Sequence, residues 1–257
     1  MKRLAEAGYN ERLFEGGFRR RFHLARFEWV RGALRRAGAA CRSVLELGCF
    51  DGRAISYLPG RPVEYLGLDA NWEDGLSIAR ERYRDDAGFE FRQCDTPTDL
   101  LRLCSGRRFD TALCLETLEH VPPEFVGGYL RALSDVVTGH LVITVPNEKG
   151  PVFLGKYLVK RACGDVAAYK KREILAAALG RMTAVERNEH KGFDYEWVVG
   201  ETMSCFRVLE VSGYPLRHLP KGLNFGIGIL ARAAGAMHPH PEAPPAPHRA
   251  RPCGTTG

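Results

Sequence analysis

The sequence holds no apolar run near the roughly 20 residues needed to cross a bilayer. Its first residues, Met1 to Glu6, lack the apolar core of a secretory leader. Together these absences place the expected compartment in the cytoplasm. Eight cysteines occur without a C-x-x-C pair, which argues against a zinc knuckle or a dithiol redox motif. Several lie in apolar runs, where a reduced cysteine acts as a small hydrophobe. There is no internal repeat. The net charge is +6, and a basic face of this kind suits a phosphate-bearing substrate, nucleic acid or an anionic surface. No aromatic-interleaved recognition motif accompanies it, so Arg19 to Arg21, Arg26, Arg31, Arg35 and Arg36 read as a solvated face. What remains is ordinary: 45% hydrophobic and 26% charged in 257 residues, enough for one α/β domain with its own core.

Against that background the run Val44-Leu45-Glu46-Leu47-Gly48-Cys49-Phe50-Asp51-Gly52-Arg53 stands out. An apolar strand reaches an acid, then a tight loop with two glycines, then polar residues that open a helix. Glycine there lets the backbone approach a ligand where a Cβ would clash. A second apolar run, 63–69, ends at Asp69. An acid at that strand end, about 20 residues past the glycines, suits the ribose diol of a nucleoside cofactor.

The periodicity predicts a helix over 9–38, then strands at 43–48, 63–69, 89–95, 109–115 and 140–146, separated by helices at 53–58, 73–84, 97–105 and 124–137. This alternation argues for a doubly wound, mostly parallel sheet. Helical pieces at 152–161 and 169–180 interrupt the rhythm and form an expected cap over 148–194. A helix near 195–205 precedes strands at 206–211 and 223–231, an antiparallel closing pair. The expected organisation is a helical cover over 1–40, the α/β domain over 41–232, and a disordered Pro-, Ala- and His-rich tail over 233–257.

Gly48 and Gly52 are separated by Cys-Phe-Asp, which does not fit the usual G-x-G-x-x-G nicotinamide loop. With Glu46, Asp69, Asp95 and the strand-four segment, residues 43–147 instead resemble the class I S-adenosylmethionine-dependent methyltransferases. Phe50 departs from the common pattern, standing where that family has a middle glycine. The resemblance implies a seven-stranded Rossmann-like sheet with an inserted helical cap and S-adenosylmethionine (SAM) as cofactor. It implies that Glu46, Gly48, Cys49 and Gly52 hold the methionine part. Asp69 would bind the ribose hydroxyls, Ala70, Cys94 and Asp95 would meet the adenine, and Leu115 and Glu116 would line the methyl-transfer side.

After strand four comes Glu116-Thr117-Leu118-Glu119-His120. Histidine can take a proton near neutral pH, so His120 is the first candidate base, with Glu119 beside it and His190 closing from the cap. The E-x-x-E-H spacing with a later His also resembles the metal site of small-RNA 3′-terminal 2′-O-methyltransferases. The ubiquinone-pathway O-methyltransferases share its first part. That resemblance implies Glu116, Glu119, His120 and His190 as ligands of Mg²⁺, Mn²⁺ or Zn²⁺, which would activate an acceptor hydroxyl. The competing reading is a Glu-His loop that only orders the next helix.

The expected activity is O-methylation of a hydroxyl on a sugar, a glycan or lipid-linked intermediate, or a secondary metabolite. The alternatives are a metal-dependent RNA-end methyltransferase and a cofactor-fold binding subunit without catalysis. Residues 145–151 resemble glycan and natural-product methyltransferases; Lys149, Lys156, Lys160 and Arg161 beside them read as a solvated helix face or as contacts to an acidic acceptor.

Overall fold

A computed structural model describes residues 17–162, 169–188 and 191–234. Seven strands form one sheet: β1 Ser43–Leu47, β2 Glu64–Asp69, β3 Phe89–Gln93, β4 Phe109–Leu115, β5 Val137–Pro146, β6 Phe206–Tyr214 and β7 Gly226–Ala233. Their order is β3-β2-β1-β4-β5-β7-β6. The β1–β2, β2–β3, β1–β4 and β4–β5 pairs are parallel, and β7 runs antiparallel between β5 and β6. The predicted doubly wound, mostly parallel sheet is therefore present.

Helices cover both faces. They are α1 Gly17–Arg36, α2 Gly75–Arg82, α3 Pro97–Leu103, α4 Pro123–Val136, α5 Gly150–Ala162, α6 Lys171–Ala178 and α7 Tyr195–Met203. Alternation along β1 divides the core. Leu45 and Leu47 join the α3, α4 and α7 face, while Val44 joins the α1 and α2 face. Helices α5 and α6 follow the carboxyl end of β5 and enclose a cluster of their own around Phe153, Ala177 and Met182. Cys49, Cys94, Cys104 and Cys114 are free and buried.

Several boundaries differ from the expectation. Residues 53–57 form a 3₁₀ turn rather than an α-helix, because Gly52 enters in the left-handed conformation and only five residues separate it from an extended Leu58. β5 begins at Val137, directly where α4 ends. β6 runs on to Tyr214, so its last residue reaches the carboxyl edge.

Helix α1 buries Phe27, Val30, Ala33 and Leu34, a three-and-four spacing that lays one face on the sheet. Trp29 adds a long-range anchor, its Nε1 donating to Ser212 Oγ at 3.0 Å. The indole lies over Gly228 of β7, where a Cβ would come within 2.4 Å of the ring. Gly228→Ala should overpack this contact and cost about 1–3 kcal/mol, measured as a lower urea midpoint with an unchanged m-value.

Candidate active site

The strand order reverses between β1 and β4, so the loops that follow them leave the carboxyl edge side by side. They touch: a Cβ on Gly48 would lie 2.0 Å from Thr117 Oγ1. Gly48 also has φ of +78°, which disfavours any side chain. Its amide and that of Cys49 both donate to Leu68 O, at 2.7 and 3.1 Å, tying the β1 loop to the end of β2. Phe50 has φ of +45°, so it takes the left-handed conformation a glycine would take there. Its ring tilts against Trp72 at 6.3 Å and sits over Gly75. Asp51 is buried and paired with Arg53 and Arg82. Gly52 O accepts from Tyr83 Oη at 3.0 Å.

Asp69 is 8% exposed and holds three backbone amides. Asn71 N and Trp72 N donate to Oδ1 at 2.7 and 3.2 Å; Phe50 N donates to Oδ2 at 3.0 Å. A carboxylate has about four acceptor positions, so Oδ2 keeps one for a ligand hydroxyl. Ala70 is exposed on the same loop. Cys94 is buried, its amide bonded to Asp69 O at 2.9 Å, and burial pushes its thiol up to about 12. Asp95 is exposed and accepts from Gln93 Nε2 at 3.0 Å. Leu115 is buried at the end of β4.

Glu46 shares the α1 face of the sheet with Tyr65, whose hydroxyl donates to Glu46 Oε2. Burial raises the Glu46 carboxyl to about 8; Asp51 and Asp69 push the same way, while the Tyr65 hydrogen bond and Arg26 oppose the rise.

The strand-four motif divides. Glu116, at φ of +52°, accepts from Tyr214 Oη at 2.6 Å. Glu119 is 2% exposed, and neither carboxyl oxygen has a hydrogen-bond partner. Burial, and then Glu116, hold its carboxyl well above the usual range, while Arg26 pulls it down. His120 is exposed. His190 lies outside the described residues, and among the described residues no group of three His, Cys, Asp or Glu side chains is placed to hold an ion.

Three features escape the sequence reading. Arg26 is not part of a solvated face: it is half-buried, its Nε lacks a partner, and its charge acts on Glu46, Glu119 and Tyr214. The signal was available, since Arg26 shares a helix stripe with Val30 and Ala33 at i+4 and i+7. Arg187, on the cap loop, acts on Glu119 and Glu124; nothing in its local pattern marked it. Tyr214 was hidden because β6 was expected to end at 211. A solvated face is also wrong for two of the cap lysines. Lys149 Nζ pairs with Asp194 at 2.7 Å and Glu196 at 2.8 Å, and Lys156 with Glu148 at 2.7 Å. Arg161 is exposed, and the Lys160 side chain lies outside the described residues.

Comparison with known proteins matches this architecture. A methyltransferase-domain family model covers residues 18–191. The chain is 28% identical over 121 residues to the ubiquinone biosynthesis O-methyltransferase of Acinetobacter baylyi, covering 46% of this chain and 49% of that protein. It thus spans about half the length of the curated relatives it matches. In structure it resembles magnesium protoporphyrin IX methyltransferase from Synechocystis PCC 6803 with bound SAH, with a TM-score of 0.54, 17% identity and coverage of 87% and 92% of the two chains. It also resembles N-methyltransferase NodS from Bradyrhizobium japonicum WM9 with S-adenosyl-L-homocysteine (SAH), with a TM-score of 0.55, 15% identity and coverage of 91% and 96%. The chain belongs to the methyltransferase-domain family and has the class I SAM-dependent fold.

The raised Glu46 carboxyl has a consequence for stability. Between about pH 4.3, where an ordinary carboxyl releases its proton, and about 8, the folded chain keeps a proton that the unfolded chain gives up. Stability therefore falls as pH rises through this window. Glu46→Gln removes that loss, so its gain in melting temperature over wild type, measured without ligand, should be larger at pH 8 than at pH 5.

Proposed function

We propose that this chain transfers a methyl group from SAM to a hydroxyl of a small-molecule acceptor. The donor half rests chiefly on the unmatched pair Glu46 and Arg26: one is a buried carboxyl with only a tyrosine partner, the other a guanidinium with an orphaned Nε. The methionine end of SAM carries an ammonium and a carboxylate, the two groups this pair lacks. Gly48, Cys49 and Gly52 form the turn beneath it. The free position on Asp69 Oδ2 suits a ribose hydroxyl, with Ala70, Cys94 and Asp95 beside the adenine. When bound, SAM would supply an electrophilic methyl on a sulfonium, with the neutral thioether of SAH as the leaving group.

The acceptor half rests on the O-methyltransferase relatives and on the β4 loop. Leu115 forms the floor. Glu119, inward-facing with both oxygens open, receives the hydroxyl's hydrogen bond. His120, exposed one residue further, carries the proton outward, and His190 is the cap residue assigned to close over the acceptor. In this reading the chain orients the hydroxyl and takes up its proton.

A second reading places a divalent ion on Glu116, Glu119, His120 and His190, with an RNA 3′ end as acceptor. The open oxygens of Glu119 favour an ion. The charges of Arg26 and Arg187 acting on that carboxyl disfavour one.

Asp69→Ala should weaken SAM binding by at least about tenfold by calorimetry, since it removes a charge-assisted hydrogen bond and frees three loop amides. Unchanged affinity would sink the ribose assignment. Activity that survives exhaustive chelation would count against the ion, and activity restored only by Mg²⁺, Mn²⁺ or Zn²⁺ would favour it.

A further inference from the structure

We propose that Arg187 binds a carboxylate on the methyl acceptor, beside the hydroxyl that Glu119 receives. This inference rests on the reading of the site as a methyltransferase centre and names the class of its acceptor: a hydroxy acid.

Two polar groups beside the strand-four loop are left open. Glu119 is 2% exposed with neither oxygen bonded, and Arg187 has a buried Nη2 without a partner. Leaving such groups buried and unmatched is costly, the more so for charges. The Arg187 cation lies within electrostatic reach of the Glu119 carboxyl, yet no hydrogen bond joins them. A ligand that fits between them offers a hydrogen-bond donor to one and an anionic acceptor to the other. A hydroxyl beside a carboxylate does both.

The Arg187 guanidinium is also pre-oriented. It lies 4.9 Å from the Trp197 ring centre and 5.4 Å from that of Phe193, which is fully buried. Packing against rings leaves the edge of the planar fork free for a planar anion. Its backbone is fixed as well. Asn188 and Lys191 exchange amide hydrogen bonds at 2.9 and 3.0 Å, Lys191 pairs with Glu173 at 3.1 Å, and Glu186 N donates to Glu173 Oε1 at 3.2 Å. Gly192, at φ of +74°, lets the chain double back so closely that a Cβ would sit 2.8 Å from Glu186 O and 3.0 Å from Arg187 Cα. Lys149, Lys156 and Lys191 are already held by carboxylates. Among these described cap cations, Arg187 is the one with a buried donor left for a ligand.

The test uses the SAH-loaded full chain and three probes: benzoate, benzamide and inorganic phosphate, titrated by calorimetry. Wild type should bind benzoate in the millimolar range and more tightly than phosphate, and should not bind benzamide. Arg187→Gln should lose benzoate affinity by about tenfold or more, the scale of one charge-assisted pair. Arg187→Lys should keep part of it, and both variants should hold SAH as wild type does. Gly192→Ala, which displaces the Arg187 backbone but keeps its charge, should weaken benzoate while leaving SAH affinity intact. Equal binding of benzoate and benzamide, or unchanged benzoate affinity in Arg187→Gln, overturns the proposal. Tighter binding of phosphate overturns the carboxylate assignment. Failure of wild type to bind SAH would instead overturn the donor-site reading, which separates the two.

Discussion

The carboxylate of Asp69 holds the carboxyl edge of this sheet together. Three amides from two loops converge on it, Phe50 N from the β1 loop and Asn71 N and Trp72 N from the β2 loop. The Leu68 carbonyl just before it takes Gly48 N and Cys49 N, and the Asp69 carbonyl takes Cys94 N from beyond β3. Three successive strand ends are thus tied at one point. Without that point the glycine turn has no fixed path, and Gly48 and Thr117 lose the register that sets them against each other.

The tie also accounts for where backbone strain collects. The five described non-glycine residues at positive φ are Phe50, Asn71, Glu73, Asp74 and Glu116. All of them lie just past the carboxyl ends of β1, β2 and β4. Such conformations cost of order 1–3 kcal/mol each and persist where surrounding bonds over-determine them. Here the bonds are the Asp69 amides and the Tyr214–Glu116 contact. Strain confined to one rim of an otherwise regular sheet is the mark of a binding edge built at the expense of stability.

The framework was legible because parallel strands buried on both faces leave strong marks. Apolar runs ended by acids located β1 to β4, and the doubled proline located the start of α4. Gly48 and Asp69 stood out since their roles depend on residue type at a strand end. What was not legible depends on direction in space. Whether Glu119 or His120 turns inward follows from the loop path after β4, set by the left-handed Glu116 and by Thr144 O accepting its amide. Arg26 looked like one arginine among many; its stripe with Val30 and Ala33 marked it as inward-facing, and the docking of α1 on the sheet brings it to the acids. Lys149 looked solvated because its partners, Asp194 and Glu196, stand 45 or more positions away in the chain.

The contact between Trp29 and Ser212 joins residues 183 positions apart. Arg36 pairs with Glu210 at 3.0 Å over nearly the same span. The first described helix is therefore seated on the last two strands of the sheet in chain order. The apolar stripe of Phe27, Val30 and Leu34 packs in one cluster with residues of β1, β2, β4 and β5, and Tyr214 of β6 and Leu230 of β7 complete it. Such non-local closure slows folding and lengthens exposure to aggregation. In this chain the helix that carries Arg26 is anchored 183 positions away, so the candidate donor site depends on contacts that span most of the described residues.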